Sequence, residues 1–265
     1  MTNKNAKNYH EYLRLDALLA QQRPLTKAHD ELQFIVIHQT FELWFKLGLY
    51  EMESARAAMF KGDLPGALHD LKRVAAILRV LPHAFEVMET MHAVGFLEFR
   101  SQLEPGSGLQ SVQFREVEFL SGLKDERYVR LHPKALQGRL RKRLKERTLW
   151  DAYLSILKRH RMPCSDDART VRSLTKILRA PDRHPMGPLT EAMLEHDKLI
   201  SLWRSRHILM TMRMIGAKVG TGHVTTAKLV AAGYDQMGAA GGINYLKTTL
   251  PKLLYPLLWE ARTAL

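Results

Sequence analysis

Cysteine is nearly absent from this chain: Cys164 is the only one in 265 residues. A single thiol excludes an intrachain disulfide and any Cys-rich zinc site or iron–sulfur cluster. It is also typical of a protein from a reducing compartment. The amino-terminal residues, MTNKNAKNYHEY, lack the apolar core of a secretion signal. We therefore expect a cytoplasmic protein.

Long apolar runs and alternating strand patterns are also missing. No apolar run reaches the length of a membrane span, so we expect no membrane partner. Hydrophobic residues make up 46% and charged residues 25% of the chain, which is ordinary for a globular protein. Helical spacing recurs along the sequence, with short connections that contain proline or glycine. The sequence therefore predicts an all-α helical bundle that forms one domain over residues 1–265.

The apolar periodicity and the breaking residues predict where the main helices lie. Residues 1–8 are short, polar and expected to be disordered. Pro82 is expected to bend or break one helix, and Gly216 is a natural C-cap for another. The predicted helices are one from Tyr9 through YHEYLRLDALLAQQ, the central helix to about Phe60, one from about Ala67 to Phe85, one from near Ser111, one over 190–215, and the last over 251–264.

The formal net charge of +13 has two interpretations, a solvated basic helix face or a nucleic-acid-binding surface. Much of the excess lies in RLRKRLKER at 139–147 and KRHR at 158–161, where leucines keep roughly helical spacing. Such a run is usually the solvated face of a helix, and no zinc-finger, RNP or P-loop pattern accompanies it. We therefore expect no nucleic-acid partner, while a basic helical nucleic-acid binder stays open as an alternative.

Two histidines lie on the apolar faces of long predicted helices. In FIVIHQTFELWFKLGLYEME at 34–53, His38 falls on the buried side. In SLWRSRHILMTMRMIGAKVGTG at 201–222, His207 follows Trp203 by one turn and repeats the arrangement. One such histidine is more often a core residue that bonds a carbonyl or a carboxylate. Two of them could face each other across a bundle core, the usual place for a metal or cofactor.

The spacing around these histidines argues against the common metal centres. A dinuclear carboxylate centre needs a glutamate three residues before each histidine, and those positions are Ile35 and Arg204. The HExxH cluster of a zinc hydrolase is absent. Haem needs one strong axial ligand and a large apolar slot, which Trp, Phe and Met side chains supply. The residues favour haem, although such stripes are more often plain core packing.

Arg100 is notable because Phe96 and Phe99 precede it closely. A guanidinium buried there without a partner would be costly, so we expect it to meet an acid. The acid could be a carboxylate of the protein or of a substrate, held by two hydrogen bonds. The glycine motifs GSG at 106–108 and GTG at 220–222 predict flexible turns, since a lone G-x-G is a weak indication of a ligand site.

Three motifs together resemble the tryptophan 2,3-dioxygenase family of haem enzymes. They are FIVIHQTFELWFKL, FRSQLEPGSGLQSVQFREVEF and LWRSRHILMTMRMIGAKVGTG, in the family's order, and LLWEART near the end matches weakly. The resemblance implies an all-helical fold with a haem pocket, one haem b per subunit that is active as Fe(II), and O2 as co-substrate. It implies a homotetramer in which residues 1–20 are exchanged with a neighbouring subunit. The implied reaction opens the indole C2–C3 bond of L-tryptophan, or a close analogue, to N-formylkynurenine.

The resemblance also implies roles for individual residues. His207 corresponds to the axial ligand of the haem iron, and His38 to the catalytic histidine that contacts the indole N–H. Arg100 corresponds to the clamp on the substrate carboxylate, and Thr221 to a threonine near the substrate ammonium. The remaining implied residues are Ser107, Phe96 and Trp203 beside the haem, Phe34, Phe99 and Leu103 around the indole, and Tyr9, Tyr12 and Leu13 reaching a neighbouring subunit's pocket.

The sequence departs from the family at a few positions. Phe96 stands where the family commonly has tyrosine, and Phe85 where some members have tryptophan. The family's GTGGSSG loop is replaced by GTGHVTTAKLVAAGYDQMGAAGGINYL, with an insertion over about 222–242. This loop closes over the substrate in the family. A second function therefore stays open, a haem-dependent monooxygenase of the same superfamily that acts on a substituted tryptophan or a tyrosine-like substrate.

Overall fold

The computed structural model describes residues 8–104, 106, 108–216, 218 and 243–265. Over these ranges the fold is all-α, as predicted, and no strand occurs in them. No helix in the described ranges is both long enough and apolar enough to cross a bilayer. The helices are α1 (Tyr9–Leu13), α2 (Leu15–Leu19), α3 (Asp30–Lys61), α4 (Leu64–Met88), α5 (Ala93–Arg100), α6 (Val112–Ser121), α7 (Lys134–Lys145), α8 (Leu149–Arg159), α9 (Asp167–Arg179), α10 (Gly187–Ile215), α11 (Ile243–Thr248) and α12 (Pro256–Thr263), with 3-10 turns at Ser101–Leu103, Gly108–Gln110 and Glu126–Leu131.

Helices α3, α4 and α10 form the centre of the bundle, where each packs against another along much of its length. Gly62 ends α3 with a φ of 85°, a conformation that favours glycine, and the Asp63 side chain then accepts a hydrogen bond from the Gly66 N–H to begin α4. Pro82 was expected to bend or break this helix, and the break does not occur, because α4 continues to Met88. The buried face on both sides of the proline, including Leu81 and Phe85, holds the helix against the core.

The amino-terminal helix was predicted as one element but is two. Asn8 caps α1 through a capping box with Glu11. Arg14 then adopts a left-handed φ of 52°, which ends α1 and starts α2 at a new angle. Neither helix contains a buried residue, so this segment gains little from its own chain.

The basic run at 139–147 lies mostly on α7, as predicted, and Leu140 is the buried residue of that helix.

The prediction for the carboxyl terminus was partly wrong, since α12 begins only at Pro256. The preceding backbone is held by Asp197 in the middle of α10. This fully buried carboxylate accepts hydrogen bonds from the backbone N–H groups of Leu254 and Tyr255 and from Trp259 Nε1, each at 2.9 to 3.0 Å. The carboxyl terminus is therefore fastened to the same helix that carries His207.

Candidate functional site

Helix α3 fixes both the position and the tautomer of His38. The Nδ1 atom lies 2.8 Å from the carbonyl oxygen of Phe34, one turn earlier. Because a carbonyl can only accept, Nδ1 carries the proton and Nε2 keeps a free lone pair. Burial among apolar groups lowers the pKa of His38, although the Phe34 carbonyl and the Glu42 carboxylate act in the opposite direction. His38 is therefore a neutral imidazole with an accepting nitrogen.

Helix α10 presents His207 next to two aromatic rings. Phe85 stacks on the imidazole with ring centroids 5.7 Å apart and an interplanar angle of 11°, and Trp203 lies 5.4 Å away at 27°. The ring nitrogens of His207 have no hydrogen-bond partner in the part of the chain that the structure describes. Burial lowers the pKa of His207 to about 4, and the nearby His38 contributes to the lowering. A neutral imidazole of this kind can donate a lone pair to a metal.

The two histidines belong to one aromatic cluster, which confirms that the fold brings them together. The ring of Phe41 lies 6.2 Å from that of His38, 5.1 Å from Phe85 and 6.3 Å from Trp203. Phe85 and Trp203 in turn contact His207. The electrostatic influence of His38 on His207 requires the same proximity. The site therefore joins α3, α4 and α10 at the centre of the bundle.

Helix α5 places two of the predicted site residues, Phe96 and Phe99, against Phe34, the ring next to His38. The ring of Phe34, which lies 4.0 Å from the His38 ring, is 5.8 Å from Phe96 and 5.6 Å from Phe99. Phe99 is fully buried, while Arg100 follows it at the end of α5 and is half-buried. Leu103 packs on the core just beyond. The aromatic wall and the arginine thus lie at the His38 side of the site.

The remaining predicted site residues either lie on the surface of their own subunit or fall outside the described residues. Tyr9 and Tyr12 are 74% and 75% exposed and Leu13 is 41% exposed, so none contacts the core of its own subunit. Ser107 and Thr221 lie outside the described residues, as does the insertion at 222–242.

Sequence reasoning did not assign the residues that connect the two histidines. Phe41 and Phe85 bridge them, yet each occurs in a stripe of apolar residues that predicts only core packing. The spacing gave one usable signal, because Phe41 follows His38 by three residues and so shares its helix face. Phe85 comes from a different helix, and a single sequence contains no signal for that contact.

Comparison with known proteins is consistent with this geometry. The sequence profile of the family described as tryptophan 2,3-dioxygenase matches residues 1–169. A tryptophan 2,3-dioxygenase from Nocardioides sp. is 44% identical over 268 residues, which cover 97% of this chain and 94% of that protein. The enzymes of the same name from Caulobacter vibrioides and Bradyrhizobium sp. strain BTAi1 are 35% and 34% identical and cover 97% and 100% of this chain. With a profile match over more than half its length and relatives that align along nearly the whole of it, this chain belongs to the tryptophan 2,3-dioxygenase family.

Proposed function

We propose that this protein is a haem-dependent dioxygenase that opens the indole C2–C3 bond of L-tryptophan to give N-formylkynurenine, with O2 as co-substrate. The observation that carries the proposal is the pair of neutral imidazoles, His38 and His207, which meet in an aromatic cluster from separate helices. Membership of the family supports the reaction and the substrate. A cytoplasmic location stays a prediction.

Haem fits the residues that the structure brings together. His207 is a neutral, buried donor whose ring nitrogens are free of competing hydrogen bonds among the described residues. Beside it, Trp203 Nε1 is buried without a hydrogen-bond partner in the same part of the chain, so a polar edge of a ligand could satisfy it. Phe96, Phe85 and Trp203 are buried apolar side chains near the two histidines, of the kind that line a haem slot. A bound haem would supply the oxygen chemistry; His207 would hold its iron, and Ser107 is expected to lie near the cofactor.

His38 would orient the substrate. Its Nε2 lone pair can accept the indole N–H, because the Phe34 carbonyl already holds the proton on Nδ1. Burial disfavours the imidazolium, so the accepting form persists at neutral pH. Phe34 and Phe99 present aromatic surface for an indole next to this nitrogen, and Leu103 adds apolar surface near the same wall.

Arg100 would hold the substrate carboxylate. It ends α5 directly after the buried Phe99, so its backbone is fixed beside the aromatic wall while its half-buried side chain can reach a ligand. A guanidinium matches a carboxylate through two parallel hydrogen bonds and keeps its charge at all working pH values. The residue expected near the substrate ammonium, Thr221, is outside the described residues.

The amino-terminal segment supports an assembly. Helices α1 and α2 bury nothing in their own subunit, yet Tyr9, Tyr12 and Leu13 present apolar surface. Exposed apolar side chains grouped in this way are typical of contact surfaces. We propose that this segment docks on a neighbouring copy in a homotetramer and reaches its substrate pocket.

We expect sedimentation of the full chain to give a tetramer. The double variant Tyr9→Ser, Tyr12→Ser should weaken this tetramer, because it removes apolar contact surface. A monomeric parent protein would contradict the assembly.

The mass of the product tests the proposed reaction. We expect the reduced, haem-loaded enzyme to convert L-tryptophan and O2 into a product that contains both oxygen atoms, measured by mass spectrometry with 18O2. Incorporation of a single labelled atom would instead indicate a monooxygenase. Methylated tryptophans and tyrosine, offered in parallel, define the substrate range.

His207→Ala should abolish stable haem binding, because no other imidazole would remain on that side of the site. Haem content per subunit is measured from the Soret absorbance of the purified protein. His160→Ala is the matched control, since His160 is an exposed histidine at the end of α8. Full haem content in the His207 variant would remove the assignment of this residue as the ligand.

Arg100→Ala should raise KM for L-tryptophan far more than it lowers kcat. If bound substrate covers the half-buried guanidinium, loss of this charge-assisted clamp costs about 2 to 5 kcal/mol, which corresponds to a rise in KM of roughly 30-fold or more. Arg100→Lys keeps the charge but not the fork geometry and should recover only part of the affinity. Steady-state kinetics measure both variants, and an unchanged KM in Arg100→Ala would show that another group binds the carboxylate.

A further inference from the structure

Helix α6 contacts the helices of both candidate site histidines. It packs along α3, which carries His38, and it reaches α10, which carries His207, through polar and aromatic side chains. Neither its residues nor these contacts are accounted for by the binding of substrate or haem proposed above. Their arrangement therefore calls for a separate explanation.

On the α3 side, the contact is made by Gln113. Its Nε2 donates hydrogen bonds to the backbone carbonyl of Glu42 at 2.8 Å and to the Glu42 side-chain Oε2 at 2.7 Å. Glu42 follows His38 by four residues, which is one helical turn. One amide therefore holds both the backbone and the side chain of α3 directly beside the turn that carries His38.

On the α10 side, the contact is a buried ion pair. Arg204 Nη2 donates to Glu118 Oε1 at 2.6 Å, and both side chains are only 3% exposed. Arg204 precedes His207 by three residues and so lies on the adjacent turn. A second arginine, Arg115, donates to the other oxygen of Glu118, and Arg204 also donates to the carbonyl of Lys252. Buried ion pairs add little net stability compared with apolar packing, but they hold a defined geometry.

Between these two polar contacts, Phe114 touches both helices. Its ring centroid lies 5.5 Å from that of Phe45 on α3 and 4.6 Å from that of Trp203 on α10. Trp203 in turn stacks on His207. An aromatic ring is large and rigid. Because the Phe114 ring touches both α3 and α10 here, it sets a minimum distance between these two helices.

We propose that α6 is a spacer, in which Gln113, Phe114 and Glu118 fix the separation of His38 and His207 so that only His207 can reach the iron of a bound haem. This inference rests on the proposed function. His38 could also bind the iron, because its Nε2 has a free lone pair. The spacer would keep His38 too far away to do so. An iron held by both imidazoles would have no position left for a co-substrate. The spacer residues are positioning residues, since they act through the two histidines.

The spacer is tested by the spin state of the ferric haem in the full chain. Gln113→Leu removes both hydrogen bonds to Glu42 while it keeps most of the side-chain volume. We expect absorption and electron paramagnetic resonance spectra to show a new low-spin species with two histidine ligands, at unchanged haem content. The species should disappear in Gln113→Leu combined with His38→Ala. A general loss of stability would lower the melting temperature without creating a His38-dependent species.

Gln137→Leu is the matched control, because Gln137 makes an equivalent amide-to-carbonyl bond to His132, away from the histidine pair. If Gln113→Leu loses haem, Glu118→Gln is used in its place. The same absorption and electron paramagnetic resonance spectra are then recorded for Glu118→Gln. If the variants bind haem and show the spectrum of the parent protein, the spacer role of α6 is wrong, whereas the proposed function stands. Loss of haem from both variants, with haem retained in the control, overturns the spacer role too, because the residues then act on folding. A parent protein that binds no haem overturns the proposed function and the spacer together.

Discussion

The candidate site is governed by one constraint: two imidazoles are largely shielded from water at the centre of one helical bundle. His38 and His207 come from α3 and α10, and burial lowers the pKa of each, to about 4 for His207. The nearby His38 ring further disfavours a proton on His207. Such a pair persists only if the surrounding helices tolerate polar atoms in an apolar interior. On the α3 side the Phe34 carbonyl accepts from one ring nitrogen of His38, whereas on the α10 side the described contacts of the His207 ring are aromatic and leave its nitrogens available to a ligand.

The rest of the bundle can be understood as support for this pair. Helices α3 and α10 are the two longest elements among the described residues, and α4 lies against both and contributes Phe85 between them. The rings that α5 contributes, Phe96 and Phe99, contact Phe34 beside His38, whereas the described rings next to His207 are Phe85 and Trp203, so the two faces of the site differ. That asymmetry suits a centre in which one histidine binds a cofactor and the other a substrate. The proposed spacer role of α6 would preserve the same asymmetry by geometry.

The sequence predicted the all-α class, the boundaries near Ser111 and Gly216, and the pairing of His38 with His207 in one cluster. These succeed because helical periodicity and capping residues are local signals, and because the family motifs mark the site. The break at Arg14 was not predicted, and the sequence left open whether Pro82 would bend or break α4, since each outcome depends on backbone angles or on core contacts beyond the local pattern. Gln113, Glu118 and Arg204 could not be paired from one sequence, because their contacts cross 71 and 86 residues of chain.

Asp197 also couples two distant parts of the fold. The donors that satisfy this carboxylate lie 57 to 62 residues further along. Because a carboxylate is costly to bury without such donors, the middle of α10 can leave water only when residues 254–259 pack against it. Closure of the core around α10 and docking of the segment that leads into α12 are therefore parts of one cooperative event.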